Sequence, residues 1–114
     1  MTPGQIHAVA LAITLLSEGL GMAALSAASA RQRQRWARNA LAAVGINLVT
    51  HTLFWYTQDR AHLLLAESVV VGVEAVGYAL LCGLSPVRAG AFSLALNLVS
   101  YGLGVTAWRV LLGA

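Results

Sequence analysis

Residues 38–51 read RNALAAVGINLVTH, and residues 88–101 read RAGAFSLALNLVSY. At an offset of 50 the Arg, the Asn and the Leu-Val pair are identical, Thr50 faces Ser100, and His51 faces Tyr101. An asparagine kept at one place in two apolar segments asks for a partner, and the segments before them supply one. At an offset of 56, LLSEGLGMAAL (15–25) lies over VGVEAVGYALL (71–81), so that Glu18 meets Glu74, and Gly21, Ala23 and Leu25 meet identical residues. Apolar segments align with one another easily, so the Leu and Val identities carry little weight. Coincident Glu and Asn in the same order, with an Arg opening each second segment, carry more. The reading is an internal duplication of a helix–loop–helix unit, with a Glu in its first helix and an Asn in its second.

Composition decides the solvent of those helices. The chain is 59% hydrophobic and 10% charged, with a mean hydropathy of +0.75. A soluble domain carries roughly a quarter charged residues, so water is the wrong solvent for most of this chain. Four apolar stretches, about 5–28, 36–57, 62–84 and 89–111, each approach the ~20 residues that carry a helix across ~30 Å of hydrocarbon. The breaks between them, SAASARQRQRW, TQDRAH and LSPVR, are short and polar. The expected architecture is an all-α membrane protein with four transmembrane helices, built as two tandem, parallel-oriented helix-hairpin repeats. It forms a single membrane domain over 1–114, with repeat 1 at about 5–57 and repeat 2 at about 62–111. A unit with an even number of crossings keeps its orientation when duplicated, which puts the pseudo-twofold axis along the membrane normal.

Residues 1–30 allow a competing reading, because ALSAASA before Arg31 resembles the cleavage site of a secretory signal peptide. The same residues contain no Lys or Arg, and Glu18 interrupts the apolar run, so a transmembrane helix is expected instead.

The net charge of +3 rests on seven arginines and no lysine. Arg31, Arg33, Arg35 and Arg38 crowd the first loop and Arg88 marks the third, against Arg60 and Arg109 on the opposite side. The positive-inside rule then places loops one and three in the cytoplasm and both termini outside. Arginine without lysine points to a GC-rich bacterial genome, hence a bacterial inner membrane. The basic cluster suits anionic lipid headgroups, and nucleic acid is not an expected partner. Trp36, Trp55, Tyr56 and Trp108 fall at helix ends, as interfacial aromatics do. Cys82 stands alone, which excludes a disulfide framework or a cysteine metal site. It reads as a core or lipid-facing residue.

At about 1.5 Å per residue, Glu18, Asn47, Glu74 and Asn97 all fall near the middle of their helices, so the Glu–Asn pair is expected twice at one depth. His51 and Tyr101 lie one turn further outward on the faces of Asn47 and Asn97. A Glu at the bilayer centre costs about 2.5–3.5 kcal/mol on insertion scales. No arginine lies near that depth, so the carboxyls are either neutral acids or hold a cation from outside the chain; His51 is the only nearby group able to supply positive charge. Glu67, seven residues before Glu74 on the same face, either continues a polar path outward, or pairs with Arg109 or reaches the interface.

Two functions fit. The first is a structural or accessory subunit, or an assembly factor, of a membrane complex. There the polar layer fixes helix register at about 0.6–2 kcal/mol per contact, and Ser17/Gly21, Gly19/Ala23 and Ala75/Ala79 allow close packing. Four helices of this length are expected to enclose little free volume, which favours this role. The alternative is a homo-oligomeric proton-coupled or cation-binding transporter. In it Glu18 and Glu74 bind, Asn47 and Asn97 orient them, and His51, Tyr101 and Glu67 extend the path. No enzymatic motif is present: there is no Ser–His–Asp order, Gly-rich phosphate loop or His–Glu zinc motif. No cofactor or metal is expected. A haem would need a second axial ligand opposite His51, and His7, Asp59 and His62 match no ligand spacing.

Overall fold

The computed structural model describes residues 2–55 and 63–113. Four helices fill them: α1 (Pro3–Ala28), α2 (Trp36–Trp55), α3 (Leu63–Cys82) and α4 (Pro86–Leu112), with one 3-10 turn at Arg33–Arg35 before α2. Each coincides with one of the apolar stretches.

Local chemistry sets the ends. The Thr2 hydroxyl accepts from the Gln5 amide at 3.2 Å while the Gln5 side chain accepts from the Thr2 amide at 2.8 Å. That capping box, followed by Pro3, satisfies donors that a helix start leaves open. Ser85 caps α4 in the same way, accepting from the Arg88 amide at 3.3 Å, and Pro86 again holds the first helical position. Between α3 and α4 the chain turns at Gly83, whose φ of 66° is left-handed and favours glycine. A Cβ there would also meet the Arg35 guanidinium at 3.2 Å, so the first loop lies against the third. Arg33 Nε donates to the Ala27 carbonyl at 3.2 Å, covering an acceptor the end of α1 leaves open, and Arg88 reaches Ser29 at 3.3 Å. The contacts of Arg33, Arg35, Gly83, Ser85 and Arg88 gather at one end of the bundle, the loop end, opposite the Thr2 cap.

The helices form a closed ring. α1 packs on α2 and α4, and α3 packs on the same two. Small residues set the approach: Gly19 lies under Val44 of α2, Gly77 under Ile46 of α2, and Gly21 under Leu96 of α4. Gly19 and Gly21 were expected to pack closely from their spacing; Gly77 was not.

The bundle is inverted relative to a water-soluble one. Its outer faces carry Leu20, Leu41 (73% exposed), Leu80 (77% exposed) and Leu98, while Glu18, Asn39, Asn47, Glu74 and Ser93 are buried. Contiguous apolar surface of that kind is rare on a soluble monomer. α1, α3 and α4 are long and apolar enough to cross a membrane. α2, 20 residues long like α3, carries Arg38, Asn39, Asn47, Thr50 and His51.

The buried seams run at four-residue spacing: Glu18, Met22 and Ser26 on α1, and Glu74, Tyr78 and Cys82 on α3. On α2 they are Asn39, Ala43 and Asn47, and on α4 Ala89, Ser93 and, one residue early, Leu96. Cys82 therefore belongs to the core. The loop end is packed shut by Met22, Cys82, Leu84 and Ala89, together with a polar knot. In that knot Asn39 Nδ2 donates to Ser26 Oγ and to Gln32 Oε1, both at 3.0 Å.

Candidate functional site

The other half of the bundle is not packed shut. A partly open cavity of about 210 Å³ runs from the middle of the helices toward the far end, where α1 begins. One face of each helix lines it: Ala10, Ile13 and Thr14 of α1; Asn47, Thr50 and His51 of α2; Glu67, Val70 and Glu74 of α3; and Asn97, Ser100, Tyr101, Gly104 and Trp108 of α4. Every set follows the three- and four-residue spacing that places side chains on one helix face. The expectation that these helices enclose little free volume is overturned. The small side chains at Ala10, Gly104 and Ser100 leave the space, and polar groups line much of it.

Glu74 forms the deep end. Asn97 Nδ2 donates to its Oε2 at 2.6 Å and Thr50 Oγ1 lies 2.9 Å from its Oε1, so α4 and α2 hold one oxygen each. Asn97 Nδ2 also donates to the Ser93 carbonyl at 2.7 Å, and the Ser93 hydroxyl donates to the Val71 carbonyl at 2.7 Å. The Glu–Asn pair expected from the sequence is therefore formed in the second half of the chain.

It is not formed in the first half. Asn47 Nδ2 donates to the Ala43 carbonyl at 2.8 Å, as Asn97 does four residues back, but its second donor goes to the Tyr78 hydroxyl at 3.0 Å. Tyr78 occupies the place that Met22 holds in the first hairpin, and its phenol supplies an acceptor that methionine lacks. Asn47 is thereby taken up across the ring, on α3. Glu18 is fully buried, and neither of its carboxyl oxygens has a hydrogen-bond partner among the described residues. It lies close enough to Glu74 and Glu67 for their charges to interact. The expected Glu18–Asn47 pair is corrected accordingly, and Glu18 sits beside the cavity rather than in its wall.

The remaining candidates fall as follows. Glu67 lines the cavity, and Arg109 is exposed on α4 and forms no ion pair with it. His51 lines the cavity and its ring stacks against His7, with centroids 5.3 Å apart and planes tilted by 31°. Tyr101 lines the cavity while remaining largely exposed. Trp108, in the last turns of α4, forms part of the cavity wall. Asp59 and His62 lie outside the described residues, and among those described no three His, Cys, Asp or Glu side chains gather as a metal site.

No family model, no curated protein and no solved structure matches this chain. Its chemistry is read from the cavity alone.

Sequence reasoning missed Tyr78 and Thr50. Thr50 carried a signal, since it aligns with Ser100 and falls one turn after Asn47 on the same face. Tyr78 lies four residues after Glu74, but its reach across to α2 depends on how the ring closes.

Proposed function

We propose that this chain is a small membrane protein that binds a cation in the cavity between its helices and exchanges it for a proton across the bilayer. The carrying observation is that Glu74 and Glu67 line one cavity with no arginine or lysine among the described residues of its wall. A carboxylate in such a place needs a cation or a proton. Asn97 and Thr50 hold Glu74 in a fixed orientation. Glu18, buried beside them with no hydrogen-bond partner among the described residues, is a second carboxyl able to carry the exchanged proton.

In this reading all four helices cross the membrane, α2 included, because the apolar α1 and α3 flank it and its polar side chains turn inward. The tandem hairpin repeat is supported by the buried seams, which fall at matching positions at the offsets of 50 and 56. The arginine-rich loop end is cytoplasmic and the cavity half faces outward, following the positive-inside rule.

The test is proton release in proteoliposomes. Addition of Na⁺, K⁺ or an alkylammonium ion to vesicles containing the protein should drive a counterflow of protons read by a trapped pH dye. Glu74→Gln should abolish it at unchanged protein incorporation. A wild-type protein inert to every member of that panel would remove the proposal.

One observation favours the accessory-subunit reading. In the loop half, Asn39 Nδ2 ties α2 to Ser26 of α1 and to Gln32 of the first loop, away from the cavity. Native mass spectrometry of gently extracted protein separates the two readings: other chains held stoichiometrically point to a subunit, whereas the protein alone or as a homo-oligomer points to a carrier.

A further inference from the structure

Resting on the cation-binding reading, we propose that the cavity is built for an elongated dication: an aliphatic diamine with one ammonium group at Glu74 and the other at Glu67. Glu67 and Glu74 stand seven residues apart on one face of α3, which sets their backbone positions about 10.5 Å apart along the helix at 1.5 Å per residue. That spacing suits two separate ammonium groups better than one hard metal ion, whose oxygen ligands lie at about 2.0–2.6 Å. A volume of about 210 Å³ is also far more than one ion fills, and it matches a small organic molecule.

The wall between the two acids has the matching chemistry. Val70 separates Glu67 from Glu74 on α3, and Ile13 and Ala10 line the α1 side. These three give apolar surface for methylene groups, beside the hydroxyls of Thr14 and Ser100 and the His51 ring in the same wall. Glu74 accepts one hydrogen bond at each oxygen from the protein, and a carboxylate has about four acceptor positions, so capacity remains for an ammonium group. Toward Glu67 and beyond it, Tyr101 and Trp108 add aromatic surface that attracts a cation. No described lining residue carries a guanidinium or ammonium that would repel the ligand.

The experiment is a length series on the purified full chain in nanodiscs, using linear diamines from 1,3-diaminopropane to 1,10-diaminodecane and the monoamines of equal length, with binding read by calorimetry. The expected result is saturable binding with an optimum inside the diamine series, and matched monoamines weaker by about tenfold or more, since each lacks one buried charge contact. Glu67→Gln should bring the best diamine down to the affinity of its matched monoamine. Glu67→Asp, which keeps the charge, should retain the preference for diamines and so separates loss of charge from loss of fold. Equal affinity for monoamines and diamines, or diamine binding indifferent to Glu67→Gln, overturns the dication and leaves the cation-binding reading intact. Binding of Na⁺ or K⁺ with no amine binding does the same. No binding of any cation overturns both.

Discussion

Asn97 Nδ2 lies 2.6 Å from Glu74 Oε2. That contact ties α4 to α3 at the deep end of the cavity and leaves the carboxylate facing a space large enough for a ligand. Its equivalent in the first hairpin, between Asn47 and Glu18, does not exist, because Tyr78 takes the Asn47 amide. A twofold sequence pattern thus yields one held carboxyl and one buried without a partner. The stability consequences differ in sign at the two sites.

Removing the held pair should cost stability with measurable coupling. In a double-mutant cycle of Asn97→Leu and Glu74→Met, read by unfolding in mixed micelles, the interaction energy should fall at about 0.6–1.7 kcal/mol, the range for hydrogen bonds between membrane helices. Strictly additive effects would show that the contact contributes nothing.

Glu18→Met should raise stability, by about 1–3 kcal/mol, since the buried carboxyl has no hydrogen-bond partner among the described residues and burial of an unsatisfied polar group is costly. Glu74→Met should lower it, because Asn97 and Thr50 lose their acceptor. If the Glu18 variant unfolds earlier than wild type, the carboxyl has a stabilising role that hydrogen bonding does not account for. A gain in stability with loss of proton exchange would mark Glu18 as a residue kept for function.

Tyr78→Phe deletes the acceptor of a buried Asn47 N–H and little else. A loss of about 1–3 kcal/mol is expected, and it should vanish when Asn47 is already Leu. Persistence of the full loss in the Asn47→Leu background would mean that the phenol acts through another contact.

The glycines of α3 should respond oppositely to alanine. At Gly77 a Cβ would lie 2.9 Å from Ile46 Cδ1 and 3.2 Å from its Cγ1, a branched side chain with little freedom to give way. Gly77→Ala should destabilise by about 1–3 kcal/mol through overpacking. Gly72 has nothing within 4 Å of a built Cβ, so Gly72→Ala should be neutral or stabilise by up to about 1 kcal/mol through helix propensity. Equal responses would place the α2–α3 contact elsewhere.

Asn39→Ala gives the first hairpin the residue that the second carries at the matching place, Ala89. It should still cost about 1–3 kcal/mol, because the buried Gln32 and Ser26 lose their shared donor. Proteolysis of the 29–35 loop in detergent should quicken in step, since the knot is what holds that loop down. An unchanged cleavage rate would assign the loop's order to Arg33 and Arg88 instead.

Much of this was legible before any coordinates. The four helices follow from apolar runs of spanning length, while the caps at Thr2-Pro3 and Ser85-Pro86 start α1 and α4 a few residues before the apolar runs begin. That Glu74 meets Asn97 followed from the repeated Glu and Asn, since residues central in two adjacent antiparallel helices share a depth. Glu67 could be placed on the Glu74 face by its seven-residue spacing, though not assigned between the cavity and Arg109.

Sequence alone determined which side chains are polar, at what depth they sit, and that the outer surface is apolar. Those properties depend on composition and helical periodicity. Tertiary structure alone decided that Asn47 turns to Tyr78, that Glu18 is left without a donor, and that Trp108 joins a cavity wall. Those outcomes depend on how four helices rotate against one another, where small residues such as Gly77 let two backbones approach and others such as Gly104 leave a space between them. A hydrogen bond of 3.0 Å between Asn47 and Tyr78 is a contact across the ring, between residues 31 apart in the chain, and no local pattern records it.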